Sequence, residues 1–110
     1  MAELPVVRVS ILRMTAELFP RLKEEMAVAQ AVLEPGIRAM SGCLDFFAGA
    51  DAATTSLTNV SIWRTLDDAR QLDSFEPMLE LGRKYVAMGV TFERPIMNYA
   101  TLWRLEGPDA

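Results

Sequence analysis

The chain has no histidine and a single cysteine, Cys43. Without histidine it lacks the side chain that most often serves as general base at neutral pH and as axial haem ligand. Without a second cysteine it has no internal disulfide, which fits a reducing cytosol, and the His and paired Cys of a zinc site are missing too. Basic residues are scattered as singlets: 11 Lys and Arg stand against 15 Asp and Glu, a formal charge of −4. Such a surface repels a polyanion, so nucleic-acid binding is set aside. No apolar run approaches the roughly 20 residues of a membrane-spanning helix. The opening MAELPVVRVS has neither the basic lead nor the apolar stretch of a signal peptide, and no glycine-rich phosphate loop follows a strand. The expectation is a cytoplasmic protein with no metal or other cofactor and no nucleic-acid or membrane partner.

What is present is apolar surface. Hydrophobic residues make up 51% of the 110, seven of them Met, while charged residues make up 24%. A chain of this length forms one domain, residues 1–110, and buries somewhat under ~70% of its unfolded surface. The excess apolar surface needs another place to go, and a subunit interface supplies one.

The layout hangs on Leu57 to Arg70, LTNVSIWRTLDDAR. Its first half alternates, with Leu57, Asn59, Ser61 and Trp63 on one side of a strand and Thr58, Val60 and Ile62 on the other. Its second half opens a helix, Leu66 to Leu72, with Thr65 placed to cap it and Asp68 three residues on to return the bond. Asn59 and Trp63 therefore share a face, about 13 Å apart at the usual strand rise.

Upstream, Pro5 to Met14 reads as a strand with Val7, Val9 and Ile11 on one face and Val6 and Leu12 on the other. Thr15 is placed to cap a helix whose stripe is Leu22, Met26, Ala29 and Leu33, and Glu34-Pro35-Gly36 ends it. Ile37 to Met40 is an irregular turn, Cys43 to Ala48 a second strand, and Gly49 to Ser56 a hairpin loop. Downstream, Asp73-Ser74 interrupts the helix, and Ser74 with Pro77 restarts one that runs to Gly89, sharing Met78, Leu81, Tyr85 and Met88 on one face. A last strand spans Arg94 to Leu105, and Gly107 to Ala110 is a tail.

The order β-α-β-β-α-β specifies an α+β, ferredoxin-like fold with a four-stranded antiparallel sheet. Two helices cover one sheet face, yet the strands are apolar on both. A second copy covering the bare face gives a homodimer, with the two sheets closing as a dimeric α/β barrel.

With Pro35-Gly36, GCLDFF (Gly42 to Phe47), NVSIWRTLDDARQLDSF (Asn59 to Phe75) and the aromatic last strand, the chain resembles the antibiotic biosynthesis monooxygenase-like domains of the dimeric α/β-barrel superfamily. The resemblance implies a pocket between sheet and helices. There a strand Asn and a Trp four residues on, matched by Asn59 and Trp63, meet the substrate, and a helix Arg, matched in placement by Arg83, assists. It implies cofactor-free oxidation of a small aromatic phenol by O2, or binding of a small molecule without catalysis. The pocket tyrosines of the phenol-oxidising members have no counterpart here, and the ligand His of haem-degrading members is absent, leaving Tyr85 as the one possible axial substitute.

Each site residue also has a structural reading. Trp63 fits a core aromatic with its N–H bonded nearby. Asn59 needs partners if buried, and no local turn offers them. Arg83 and Lys84 fit a solvated face with a Glu80–Lys84 pair. Tyr85 belongs to the apolar stripe, with a hydroxyl in reach of a pocket, and Cys43 fits a small buried filler.

Overall fold

The computed structural model describes residues 4–107 of the chain, so the last three residues of the expected tail lie outside the described part. The first strand, β1 (Val6–Arg13), matches its alternation. Thr15 does not cap the helix that follows. Its carbonyl and hydroxyl both accept from the Leu18 N–H at 3.2 Å, closing a turn ahead of α1 (Phe19–Arg38), whose cap residue Leu18 gives no side-chain bond.

Helix α1 also runs through Pro35 instead of stopping there. A proline inside a helix costs about 3 kcal/mol. Against that, one more turn carries Ile37, only 6% exposed, into a core of Trp63, Ala69 and Leu72, and burying such a side chain recovers about 1.5–3 kcal/mol. Gly36 permits the approach rather than ending the helix: a Cβ on it would lie 2.5 Å from Phe75 Cζ. The expected irregular turn at 37–40 is therefore helix at Ile37 and Arg38 and irregular only at Ala39 and Met40.

Strand β2 (Cys43–Asp51) is longer than expected because pairing with β3 (Ser56–Trp63) continues to Asp51 opposite Ser56. The hairpin loop shrinks to residues 52–55, with Thr55 at φ 46°. After β3, Thr65 Oγ1 accepts from the Asp68 N–H at 3.0 Å and caps α2 (Leu66–Ala69). The return bond is not made, because the Asp68 carboxylate lies against Gly42, whose absent side chain leaves it room. A 3-10 turn, Arg70–Ser74, leads to α3 (Glu76–Met88), closed by Gly89 in the left-handed conformation.

The expected last strand is instead two short ones, β4 (Thr91–Phe92) and β5 (Met97–Ala100). Both pair with the same edge of β1: Phe92 faces Leu12, and Met97 to Ala100 face Val9 to Val6. Ala100 meets Val6, the first residue of β1, and past it the Pro5 carbonyl accepts the N–H and hydroxyl of Thr101. Pairing ends because the partner strand does. The antiparallel sheet runs β2-β3-β1-β4 with β5 beside β1, and within this one chain it stays open rather than closing as a barrel.

Direct cross-strand partners share a face, so Val6, Arg8, Ser10 and Leu12 lie with Trp63, Ser61, Asn59 and Leu57 toward the helices. Two cores form there. One joins Leu12, Phe19, Leu22, Leu57, Tyr85 and Val90; the other joins Ile37, Trp63, Ala69 and Leu72. The opposite face carries Val7, Val9, Ile11, Val60 and Ile62, all half-buried, with Phe47, Met97 and Tyr99 exposed. Among the described residues no helix is long and apolar enough to cross a membrane.

Candidate functional site

Between the two cores the helices stand off the sheet. A cavity of about 700 Å3 opens there among α1, α3 and β2, with Met26, Leu33, Phe46, Leu81, Tyr85 and Asn59 in its walls. A second, of about 460 Å3, continues toward the β4–β5 edge and is lined by Arg8, Ser10, Asn59, Ser61, Asp73 and Arg83 among others. Phe46, Asn59, Met78, Gly82 and Phe92 belong to both linings. The two are halves of one inter-layer space, and Asn59 stands at their junction.

Asn59 is half-buried in mid-strand opposite Ser10 on β1 and Ala48 on β2. Sequence alternation placed it on this face, and the structure turns that face into a cavity wall. An amide so placed offers two donors and an acceptor to a guest.

Trp63 is a different case. It is 0% exposed, packed among Ile37, Ala69, Leu72, Leu33, Cys43, Phe46 and Phe75, and lines neither cavity. Its Nε1–H donates to Ser61 Oγ at 2.8 Å, so its one polar atom is satisfied within its own strand. The expectation of a tryptophan wall is corrected to a tryptophan core. The extra turn of α1 brings Ile37 into the same core as Trp63, and Phe46 and Phe92 supply the aromatic walls instead.

Arg83 reaches the rim of the smaller half. Its side chain is 64% exposed and its Nη2 donates to Glu76 Oε1 at 2.6 Å, so solvent screening weakens its reach into the cavity. Lys84 pairs across to Glu25 on α1 at 3.0 Å, in place of the expected Glu80.

Tyr85 is 5% exposed in the larger half, and its hydroxyl is buried without a hydrogen-bond partner among the described residues. Burial, and after it the Glu25 carboxylate, push this hydroxyl above the usual tyrosine value. It stays protonated at neutral pH, as a donor with nothing to donate to, and such groups are rare in folded proteins. Cys43, half-buried in the same lining, is likewise raised, mainly by burial.

Sequence reasoning missed Arg8. It lies among the β-branched residues of β1 and is 6% exposed. Its Nη2 donates to Asp73 Oδ1 at 2.5 Å and its Nη1 to Asn98 Oδ1 at 3.2 Å. The signal was available: alternation sets Arg8 on the Val6–Leu12 face, where a charge is out of place unless it has work there. Among the described residues no group of three or more His, Cys, Asp or Glu is placed to hold a metal ion.

No known family pattern matches the chain and no curated protein is significantly similar to it in sequence. Solved structures are similar in fold. A candidate antibiotic biosynthesis monooxygenase from Deinococcus radiodurans superposes with a TM-score of 0.70 at 18% identity, over 92% of this chain and 96% of that one. A second such candidate, from Nitrosomonas europaea, gives 0.68 at 18% identity over 94% and 95%. A Streptomyces coelicolor monooxygenase solved in complex with nanaomycin D gives 0.56 at 19% identity over 84% and 88%. The fold is that of the antibiotic biosynthesis monooxygenase-like domains.

Proposed function

We propose that this chain is a cofactor-independent monooxygenase-like protein that takes a small aromatic, phenol-bearing molecule into the space between its helices and its sheet. The observation that carries the reading is the meeting of one apolar, aromatic-walled space with two polar side chains in its lining, Asn59 at its junction and Tyr85, whose buried hydroxyl has no hydrogen-bond partner among the described residues. A structure of the same fold holds nanaomycin D.

The chemistry asks little of the protein. A phenol loses its proton to a base; Glu34 and Asp45 line the larger half, and Asp73 the smaller. The electron-rich anion gives one electron to O2, and the radical and superoxide recombine at a ring carbon bearing hydrogen. The peroxide then loses water: one oxygen atom remains as a new carbonyl, and the other leaves with two hydrogens from the substrate. Asn59 donates to the developing oxyanion, Tyr85 positions the ring by a second hydrogen bond, and Arg83 at the rim favours the anion. Trp63 contributes by holding the strand that carries Asn59.

A second reading, a binding protein without catalysis, is favoured by the burial of Trp63, which leaves Asn59 alone of that pair in the cavity. Oxygen uptake with anthrone-like or dihydroxynaphthalene substrates separates the two. The monooxygenase reading expects uptake that falls in Asn59→Ala. Binding with no oxygen uptake supports the second reading, and equal turnover in both proteins removes Asn59 from the mechanism.

The partner is a second copy of the chain. The outer sheet face presents Val7, Val9, Ile11, Val60 and Ile62 with Phe47, Met97 and Tyr99, and beyond β5 Leu102, Trp103 and Leu105 are 77–88% exposed. A self-complementary apolar face of this kind is what a two-fold dimer buries.

A further inference from the structure

Arg8 looks onto two spaces at once. Besides the smaller half of the inter-layer cavity, it lines a hollow of about 610 Å3 toward the β4–β5 edge, together with Arg70, Arg94, Asn98 and Asp73. Arg8, Asp73, Arg94 and Ile96 belong to both linings, so the hollow leads into the cavity. Three arginines thus converge against one carboxylate in a chain where acids outnumber bases. Arg70 and Arg94 are exposed and enter no ion pair among the described residues; Arg94 lies over the Phe92 ring, 5.7 Å from its centre.

The Arg8 guanidinium is buried but incompletely used. Of the five N–H donors of an arginine, two are engaged among the described residues, by Asp73 and Asn98. Its charge partner is itself 58% exposed and so is shared with water. Taking a guanidinium out of water is unfavourable unless acceptors replace the water, and here the open sides of the group face the two spaces.

We propose that Arg8, with Arg94 and Arg70 around it, forms an anion subsite that selects a substrate bearing a carboxylate on its aromatic ring system. The planar fork of a guanidinium matches the two oxygens of a carboxylate. Phe46, Met78 and Phe92 receive the rings beside it. Ser61 lies across the ladder from Arg8, and Asn59 lies two residues further along β3, about 7 Å away at the strand rise. A two-ring acid anchored at Arg8 therefore brings its far end, where a phenol would react, to the Asn59 amide. The subsite rests on the inter-layer space being a binding pocket, and it names the substrate class of that pocket.

The test is a fluorescence titration at pH 7.5 with 6-hydroxy-2-naphthoate and its neutral counterpart of the same shape, 6-hydroxy-2-naphthamide. The wild type is expected to bind the acid at least about tenfold more tightly than the amide, against the net negative charge of the chain. Arg94→Gln, at an exposed position, and Arg8→Lys, which keeps the charge and loses the fork, are expected to erase most of that preference by weakening acid binding much more than amide binding. Equal affinity for the two probes in the wild type overturns the subsite and leaves the pocket standing. A preference that survives unchanged in both variants also overturns it. Binding of neither probe overturns the pocket reading and the subsite with it.

Discussion

The indole N–H of Trp63 donates to the hydroxyl of Ser61, 2.8 Å away and two residues back along the same strand. Residues i and i+2 share a face, so β3 supplies both the largest fully buried side chain and the partner for its one polar atom. The strand that presents Asn59 is anchored by this pair just beyond it.

Removing the acceptor leaves a buried N–H without a partner. Ser61→Ala is therefore expected to destabilise the protein by about 1–3 kcal/mol, and Trp63→Ala by about 3–5 kcal/mol through the cavity it leaves. Urea unfolding of the two variants measures both. A Ser61→Ala midpoint equal to wild type would mean that the indole finds another acceptor.

Gly36 presents a conflict between two magnitudes. Inside a helix, Gly→Ala ordinarily gains up to about 1 kcal/mol. Here the new Cβ would lie 2.5 Å from Phe75 Cζ and 2.6 Å from Cε1, and overpacking of that kind costs about 1–3 kcal/mol. Gly36→Ala is expected to be net destabilising, and the added change Phe75→Leu to recover part of the loss in a double-mutant cycle. Thermal denaturation of the four proteins decides the sign.

The buried Tyr85 hydroxyl gives a pH signature. Its folded pKa is raised, first by burial and then by Glu25, so the folded protein holds this proton longer than the unfolded chain does. Its contribution to stability is full below the unfolded value, about pH 10, and is lost as pH rises through the raised folded value. Wild type is expected to lose stability more steeply than Tyr85→Phe above pH 10, with parallel curves below it. At pH 7 the same variant should be neutral or up to about 1 kcal/mol more stable, since it deletes an unpartnered buried group. A phenolic guest bonded to that hydroxyl should bind it more weakly. Denaturant midpoints across the pH range, and one titration at pH 7, check all three.

Val60 lies in mid-strand on the outer face, opposite Val9 and Phe47. In the dimer proposed above, Val60→Lys removes an apolar contact from each copy, about 3 kcal/mol or more in all. The dissociation constant should rise roughly a hundredfold or more. Sedimentation equilibrium of wild type and variant reads this directly, and a wild type that stays a stable, folded monomer at micromolar concentration would remove the homodimer.

Pattern carried most of the architecture because alternation and capping act over a few residues. The Leu57–Trp63 alternation and the Thr65 cap are both found where the chain itself places them. The failures share one cause. Pro35-Gly36 is a stop signal judged locally, and α1 passes it because Ile37 and Phe75, 38 residues apart in sequence, meet on either side of it in the core. The last strand is cut short because β1, and not any signal between Arg94 and Leu105, sets where pairing ends.

The site divides along the same line. Which side chains point toward the helices is a matter of period two, and the sequence by itself determined that Asn59, Ser61 and Trp63 share that face. Whether a side chain on that face meets a guest or a neighbour depends on how far the helices stand off the sheet at each point. Only the tertiary structure decided that: Ile37, on the last turn of α1, joins Trp63 in a closed core, while the spread between α1 and α3 leaves Asn59 and Arg8 lining open space.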